Sequence, residues 1–246
     1  MPETTRVAVV TGGGAGIGGT TAEHLLRAGW TVHTLDLGPT GPEGAHHHVV
    51  DVADEAAQLA VADEVGPVDA LVTAAGINLR PHDGPAQRLD LGAWHQTLDV
   101  NLTGTMLSVR AFYPRLRDAG AIVTLGSVAG IGAMTWADAY TASKGAIVAL
   151  TRSWAVDYAR YGIRVNCVCP GSTETAMMDG VREAFAEDSQ VQLPQQRMAT
   201  RDEVASVVAF LCGPDSTYVS GAVVPVDGGA TANVGGMPFP RRRPRP

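Results

Sequence analysis

Short β-branched runs recur along this chain, each followed by a longer stretch of helical periodicity, and that alternation restricts its fold more than any other feature. Val7-Ala8-Val9-Val10 is apolar at every position, as expected of a strand covered on both faces. Comparable runs predict strands over residues 31–35, 48–51, 70–73, 121–125, 164–168 and 222–226. Apolar residues at helical spacing predict helices over 18–28, 55–65, 91–116, 139–161 and 202–211. Strands that alternate with helices build a parallel sheet, because the return path between parallel strands needs a crossover. The expected fold is therefore α/β, a doubly wound parallel sheet of about seven strands with helices on both faces.

A chain of 246 residues suffices for one such domain, and neither a repeat nor a dividing linker interrupts it. Residues 1–235 read as a single domain, and 236–246 as a Pro/Arg-rich disordered tail. The net charge is -7, and four arginines in the last six residues leave -11 for the remainder. An acidic body argues against a nucleic-acid surface. No apolar stretch is long enough to span a membrane, and Met1-Pro2-Glu3-Thr4-Thr5 has no signal-peptide pattern. Cys167, Cys169 and Cys212 all lie in apolar segments and read as reduced core thiols, so a cytoplasmic protein is expected. Cys167 and Cys169, two apart on a strand, should share a face.

Two local patterns carry chemistry. Thr11-Gly12-Gly13-Gly14-Ala15-Gly16-Ile17-Gly18 follows the first strand and opens the first helix. Glycines there let the backbone approach a pyrophosphate, and the helix start offers free N–H groups and the positive end of its dipole. Tyr140 and Lys144 lie four residues apart on a predicted helix, one turn from each other. An ammonium so placed can stabilise a phenolate, whose parent phenol titrates near ~10 when unperturbed.

The spacing Gly12, Gly16, Gly18, taken with Tyr140 and Lys144, resembles the short-chain dehydrogenase/reductase family, and the resemblance extends from Arg6 to Gly229. It implies a Rossmann-type NAD-binding and catalytic domain. Asp36 ends the second strand where the family reads the adenosine ribose, and Asp51 and Val52 match its adenine-contacting pair. Asn101, Ser127, Tyr140 and Lys144 fall on the family's catalytic positions. Pro170 and Gly171 look like its nicotinamide loop, followed by Thr173 and Thr175, which match positions that hold the carboxamide and phosphates. One departure is Thr73-Ala74-Ala75-Gly76, where the family usually carries two Asn. The backbone of Ala75 and Gly76 can still approach the ribose, while side-chain bonds to the central sheet are either lost or remade by Thr73.

NAD is the expected cofactor: the Asp36 carboxylate can accept bonds from ribose hydroxyls and would repel a 2'-phosphate, and neither Ala15 nor Leu37 supplies a cation. The resemblance implies that Ser127 bonds the substrate oxygen and Tyr140 exchanges its proton. It implies that Lys144 stabilises the phenolate and binds the nicotinamide ribose, and that Asn101 positions a water. The chain is thus expected to be an NAD-dependent alcohol dehydrogenase or ketone reductase for a small-molecule substrate, assembled as a homotetramer or dimer. An acyl-thioester or polyketide ketoreductase shares the same catalytic residues, although such enzymes usually draw on NADPH. A dinucleotide-binding protein with a dead site is the alternative outside enzymes.

Met134 and Trp136, just before Tyr140, are candidates to line the pocket, as are Met177 and Met178 within the irregular segment 172–198. That segment reads as a lid in which Phe185 takes part, with plain helix packing an equal reading for the methionines. Arg80 reads as a solvated loop arginine. No metal site is expected: His46, His47 and His48 stand at a strand entry, where consecutive residues alternate in direction and cannot all face one ion.

Overall fold

The computed structural model describes residues 5–80, 82–178 and 193–232. Seven strands pair in parallel in the order β3-β2-β1-β4-β5-β6-β7. They are β1 (Val7–Thr11), β2 (Thr31–Asp36), β3 (His46–Val49), β4 (Val68–Thr73), β5 (Leu116–Leu125), β6 (Arg164–Pro170) and β7 (Val223–Val226). The order reverses between β1 and β4, and ligands of open α/β sheets bind outside the strand ends at such a switch point.

Alternation along β1 divides the core. Ala8 and Val10 point to one face, where α1 (Gly16–Arg27) and α6 (Arg201–Cys212) contribute Leu25, Val204 and Val208. Val9 points to the other, where α2 (Glu55–Val65), α4 (Gly104–Phe112) and α5 (Asp138–Asp157) contribute Val61, Phe112 and Trp154. Both faces are buried, so the uniformly apolar β1 run is what a central parallel strand requires.

Three departures from the sequence reading have physical causes. β3 begins two residues early, at His46, because His33 to Asp36 pair with His46 to Val49. Asp51 leaves the sheet and accepts a bond from the Ala53 amide. The helix predicted over 91–116 is broken into α3 (Leu91–Leu98), a π turn (Asp99–Thr103) and α4. β5 starts at Leu116 rather than at 121, through a register shift opposite Val68 and Ala70. The tail at 236–246, and Phe185 with the middle of the expected lid, lie outside the described residues.

The three-histidine run alternates as its strand geometry requires. His33 stacks on His46 and His48, while His47 turns the other way to Thr34 Oγ1 and the Gly38 carbonyl. Cys167 and Cys169 do share a face, with their Sγ atoms 3.7 Å apart and both side chains buried. Among the described residues no helix is long and apolar enough to cross a membrane.

Candidate active site

The glycine-rich turn joins β1 to α1 by close backbone packing. A Cβ on Gly12 would lie 2.6 Å from the backbone of Ala75, and one on Gly18 would lie 2.1 Å from the Gly12 carbonyl oxygen. Gly16 adopts φ +59° with open space where a side chain would be. The first residue of α1 is preceded by Ala15, which has no capping side chain, and no acidic residue occupies the first turn. The amides at this helix start are thus left for an anion. A dinucleotide diphosphate fits that cradle.

Asp36 stands at the end of β2, where its carboxylate accepts the Gly14 amide at 2.9 Å and the Gly38 amide at 2.9 Å. Each oxygen retains a further lone pair for a hydroxyl donor. Across the sheet, the Ala74 amide bonds the Thr11 carbonyl, which ties the start of the Ala74-Ala75-Gly76 segment to β1. Thr73 does not remake the bonds of the absent asparagines: among the described residues its buried Oγ1 has no partner.

Ser127, Tyr140 and Lys144 meet beyond β5 and β6. Ser127 follows Gly126 at the end of β5 and opens a short 3₁₀ turn (Val128–Gly130), where its Oγ accepts the Ala129 amide at 3.1 Å. Glycine is required at both ends of this turn. A Cβ on Gly126 would strike the Cys167 and Cys169 sulfurs at 2.7 Å, and one on Gly130 would lie 2.6 Å from the Lys144 backbone. That close approach presses the Ser127 turn onto α5, on the side that carries Tyr140. Met134 packs on the small cluster of Ala129, Ala137 and Tyr140. Trp136 is exposed, with Arg88 over its ring. Met177 and Met178 lie in a single 3₁₀ turn (Ala176–Met178), next to a segment that pairs Thr173 with Ala199.

Lys144 is buried, its Nζ donating to the Leu125 carbonyl at 2.8 Å and standing 5.8 Å from the Tyr140 ring centre. Burial pushes the Tyr140 hydroxyl above its ordinary value and outweighs the lowering influence of the neighbouring Ser127 and Arg80. Burial also pulls Lys144 down, to about 8, against the opposing influence of the Cys167 and Cys169 thiols. Desolvation of the charged form governs both groups.

Asn101 occupies the π turn, fully buried. Its Oδ1 accepts the Ile77 amide at 2.8 Å, and its Nδ2 donates to the Ile77 carbonyl at 3.0 Å and to Ser143 Oγ at 3.1 Å. The side chain therefore holds the segment after β4 against α5. Above Gly76, a Cβ would stand 3.3 Å from Asn101 Oδ1 and 3.4 Å from Lys144 Nζ, so the two polar groups face one space. Asp83 was missed by the sequence reading: buried in the loop before α3, it accepts the Ala139 and Tyr140 amides at 3.0 Å each. His82-Asp83-Gly84 reads locally as an ordinary turn, and nothing in its spacing points to α5.

Comparisons agree with this arrangement. The sequence profile of the family described as Enoyl-(Acyl carrier protein) reductase matches residues 12–231. The 2-(R)-hydroxypropyl-CoM dehydrogenase of Xanthobacter autotrophicus is 39% identical over 92% of this chain and 99% of its own length. The ligand-free aldohexose dehydrogenase of Thermoplasma acidophilum superposes with a TM-score of 0.85 at 31% identity, covering 96% of this chain and 98% of that one. A short chain dehydrogenase family protein from Francisella tularensis gives 0.85 at 29% identity, covering 94% and 100%. With a cofactor cradle at the switch point, a Tyr–Lys pair beside a serine, and relatives matched along nearly their whole length, the chain belongs to the short-chain dehydrogenase/reductase family.

Proposed function

We propose that this oxidoreductase interconverts a secondary alcohol and its ketone with NAD or NADH, with Tyr140 as the acid/base. The observation that carries the reading is the convergence of Ser127, Tyr140 and Lys144 on one buried spot beside the glycine cradle. The dinucleotide, when bound, supplies the hydride acceptor or donor. Gly12, Gly16, Ile17 and Gly18 would hold its diphosphate, Asp36 its adenosine ribose, and Asp51 with Val52 its adenine. Ala75 and Gly76, Pro170 and Gly171, and Thr173 and Thr175 would border the remainder.

Ser127 Oγ donates to the substrate oxygen and fixes it within reach of Tyr140. Tyr140 takes the alcohol proton as its phenolate in oxidation, and its hydroxyl gives a proton back in reduction. Lys144 has one ammonium proton committed to the Leu125 carbonyl and two left to give, one to the ribose and one toward the space shared with Asn101. Its positive charge favours the phenolate, the form that burial alone disfavours. Asn101 positions the Ile77 backbone, and its second lone pair on Oδ1 can hold a water next to Lys144. Met134 borders the substrate beside Tyr140.

NAD is favoured over NADP by the carboxylate of Asp36, which a 2'-phosphate would meet as a like charge, and by Leu37, exposed at the next position. The test is a screen of secondary alcohols and ketones against NAD, NADH, NADP and NADPH, read at the nicotinamide absorbance. NAD-linked turnover of at least one alcohol–ketone pair is expected. Turnover with NADP alone would overturn the cofactor assignment, and absence of any turnover would overturn the catalytic one.

A further inference from the structure

Asp83 is a buried carboxylate that the proposed reaction does not use. Its Oδ1 accepts the Gly84 amide at 2.8 Å and the Ala139 amide at 3.0 Å, and its Oδ2 accepts the Tyr140 amide at 3.0 Å. Ala139 and Tyr140 are the second and third residues of α5. Their amides are among those a helix leaves open at its start, and an Ncap side chain ordinarily fills such positions. Here the local cap position is Ala137, which has no side-chain oxygen. The cap arrives instead from the loop after β4, more than 50 residues away in sequence.

A second contact joins the same two segments. Arg88, later in that loop, lies 5.4 Å from the ring centre of Trp136. Trp136 itself adopts φ +59°, a left-handed conformation that a bulky residue holds only when its surroundings impose it. The entry to α5 is thus strained and fastened from outside at two points. The loop that fastens it follows the C-terminal end of a strand at the switch point, the edge from which substrate approaches.

We propose that Asp83 is a positioning residue for Tyr140, fixing the first turn of α5 to the substrate-side loop so that the loop sets where the tyrosine hydroxyl stands. The inference rests on the reading of Tyr140 as the acid/base. Displacing a reacting group by even about 1 Å can cost up to roughly a hundredfold in rate. Helix capping by itself changes only stability, and well below the melting temperature it leaves kcat alone.

Asp83→Asn keeps the side-chain shape but retains one acceptor oxygen for three amides, and Asp83→Ala removes both oxygens. Each is compared with wild type in the full chain, using 2-butanol, 2,3-butanediol and cyclohexanol with NAD. kcat should fall by about tenfold or more while the affinity for NAD stays within about twofold. A second measurement needs no turnover. With 3-fluorotyrosine incorporated, the fluorine resonance that Tyr140→Phe deletes reports on position 140. In Asp83→Asn that resonance should shift or broaden while those of the other four tyrosines hold. An unmoved resonance, or a kcat within about twofold of wild type, overturns the proposal. Activity of Tyr140→Phe, assayed alongside, tests the acid/base reading separately, and the resonance still decides the role of Asp83 if that reading falls.

Discussion

Lys144 stands 5.8 Å from the ring centre of Tyr140, and burial drives the two groups in opposite directions, the phenol up and the ammonium down to about 8. Both shifts favour neutral groups. Burial thus opposes the ammonium that would stabilise a Tyr140 phenolate as well as the phenolate itself.

Removing the tyrosine hydroxyl should remove the acid/base and little else. Tyr140→Phe is expected to lower kcat by about 10²–10⁴-fold while NAD affinity changes little. Steady-state rates with equilibrium cofactor titration check it. Retention of most of the wild-type kcat would assign proton transfer to another group.

Lys144→Met should abolish turnover and weaken cofactor binding, yet stabilise the cofactor-free protein. A lysine lowered from 10.5 to about 8 costs the folded state about 3 kcal/mol while it is charged. Exposing the Leu125 carbonyl to no partner returns about 1–3 kcal/mol of that gain. Below about pH 8 both folded and unfolded chains carry the proton, so wild type bears the full cost. From there to 10.5 only the unfolded chain is protonated, and wild-type stability rises with pH. The variant's advantage should thus shrink between pH 8 and 10, as melting temperatures across that range would show; a constant difference would place the lowered pKa elsewhere.

Cofactor choice should follow Asp36. Wild type is expected to favour NAD by well over ~100-fold, given the cost of placing like charges together. Asp36→Ala combined with Leu37→Arg should move the preference toward NADP. The ratio of kcat/KM for the two cofactors measures the change, and equal use by wild type would sink the assignment.

Gly130→Ala tests the seat of Ser127. The new methyl would meet the Lys144 backbone at 2.6 Å, which neither segment can absorb without moving. A loss of about 1–3 kcal/mol in stability is expected, with kcat falling as Ser127 draws away from Tyr140. Calorimetry and kinetics on one preparation check both, and wild-type values in each would show that the turn has slack.

How far the site could be read from the sequence depends on the range of the contacts involved. Tyr140 and Lys144 declare themselves because one helical turn relates them. Gly12, Gly16 and Gly18 do so because strand, turn and helix are consecutive. Asp83 and Gly130 do not, since each acts on α5 from a separate segment. The π turn at Asn101 is equally hidden: the run from 91 onward has unbroken helical periodicity, and one widened turn leaves no mark on composition. The first residues of β3 were missed because histidines gave no β-branched signal, whereas pairing to β2 settles that edge in the folded chain.

The packing of Gly12 on Ala75 has a consequence for the order of events in folding. The glycine motif is local in sequence, but its shape is not, because the turn closes only against a segment tied to β1 across 64 residues by the Ala75 amide on Thr11 Oγ1. Contacts of that separation form late, after the entropy of closing a long loop has been spent. A nascent chain that has just displayed its complete glycine motif therefore does not yet hold the turn closed. The cradle is complete only once β4 docks beside β1, so a ligand held there would clamp finished central strands rather than template them.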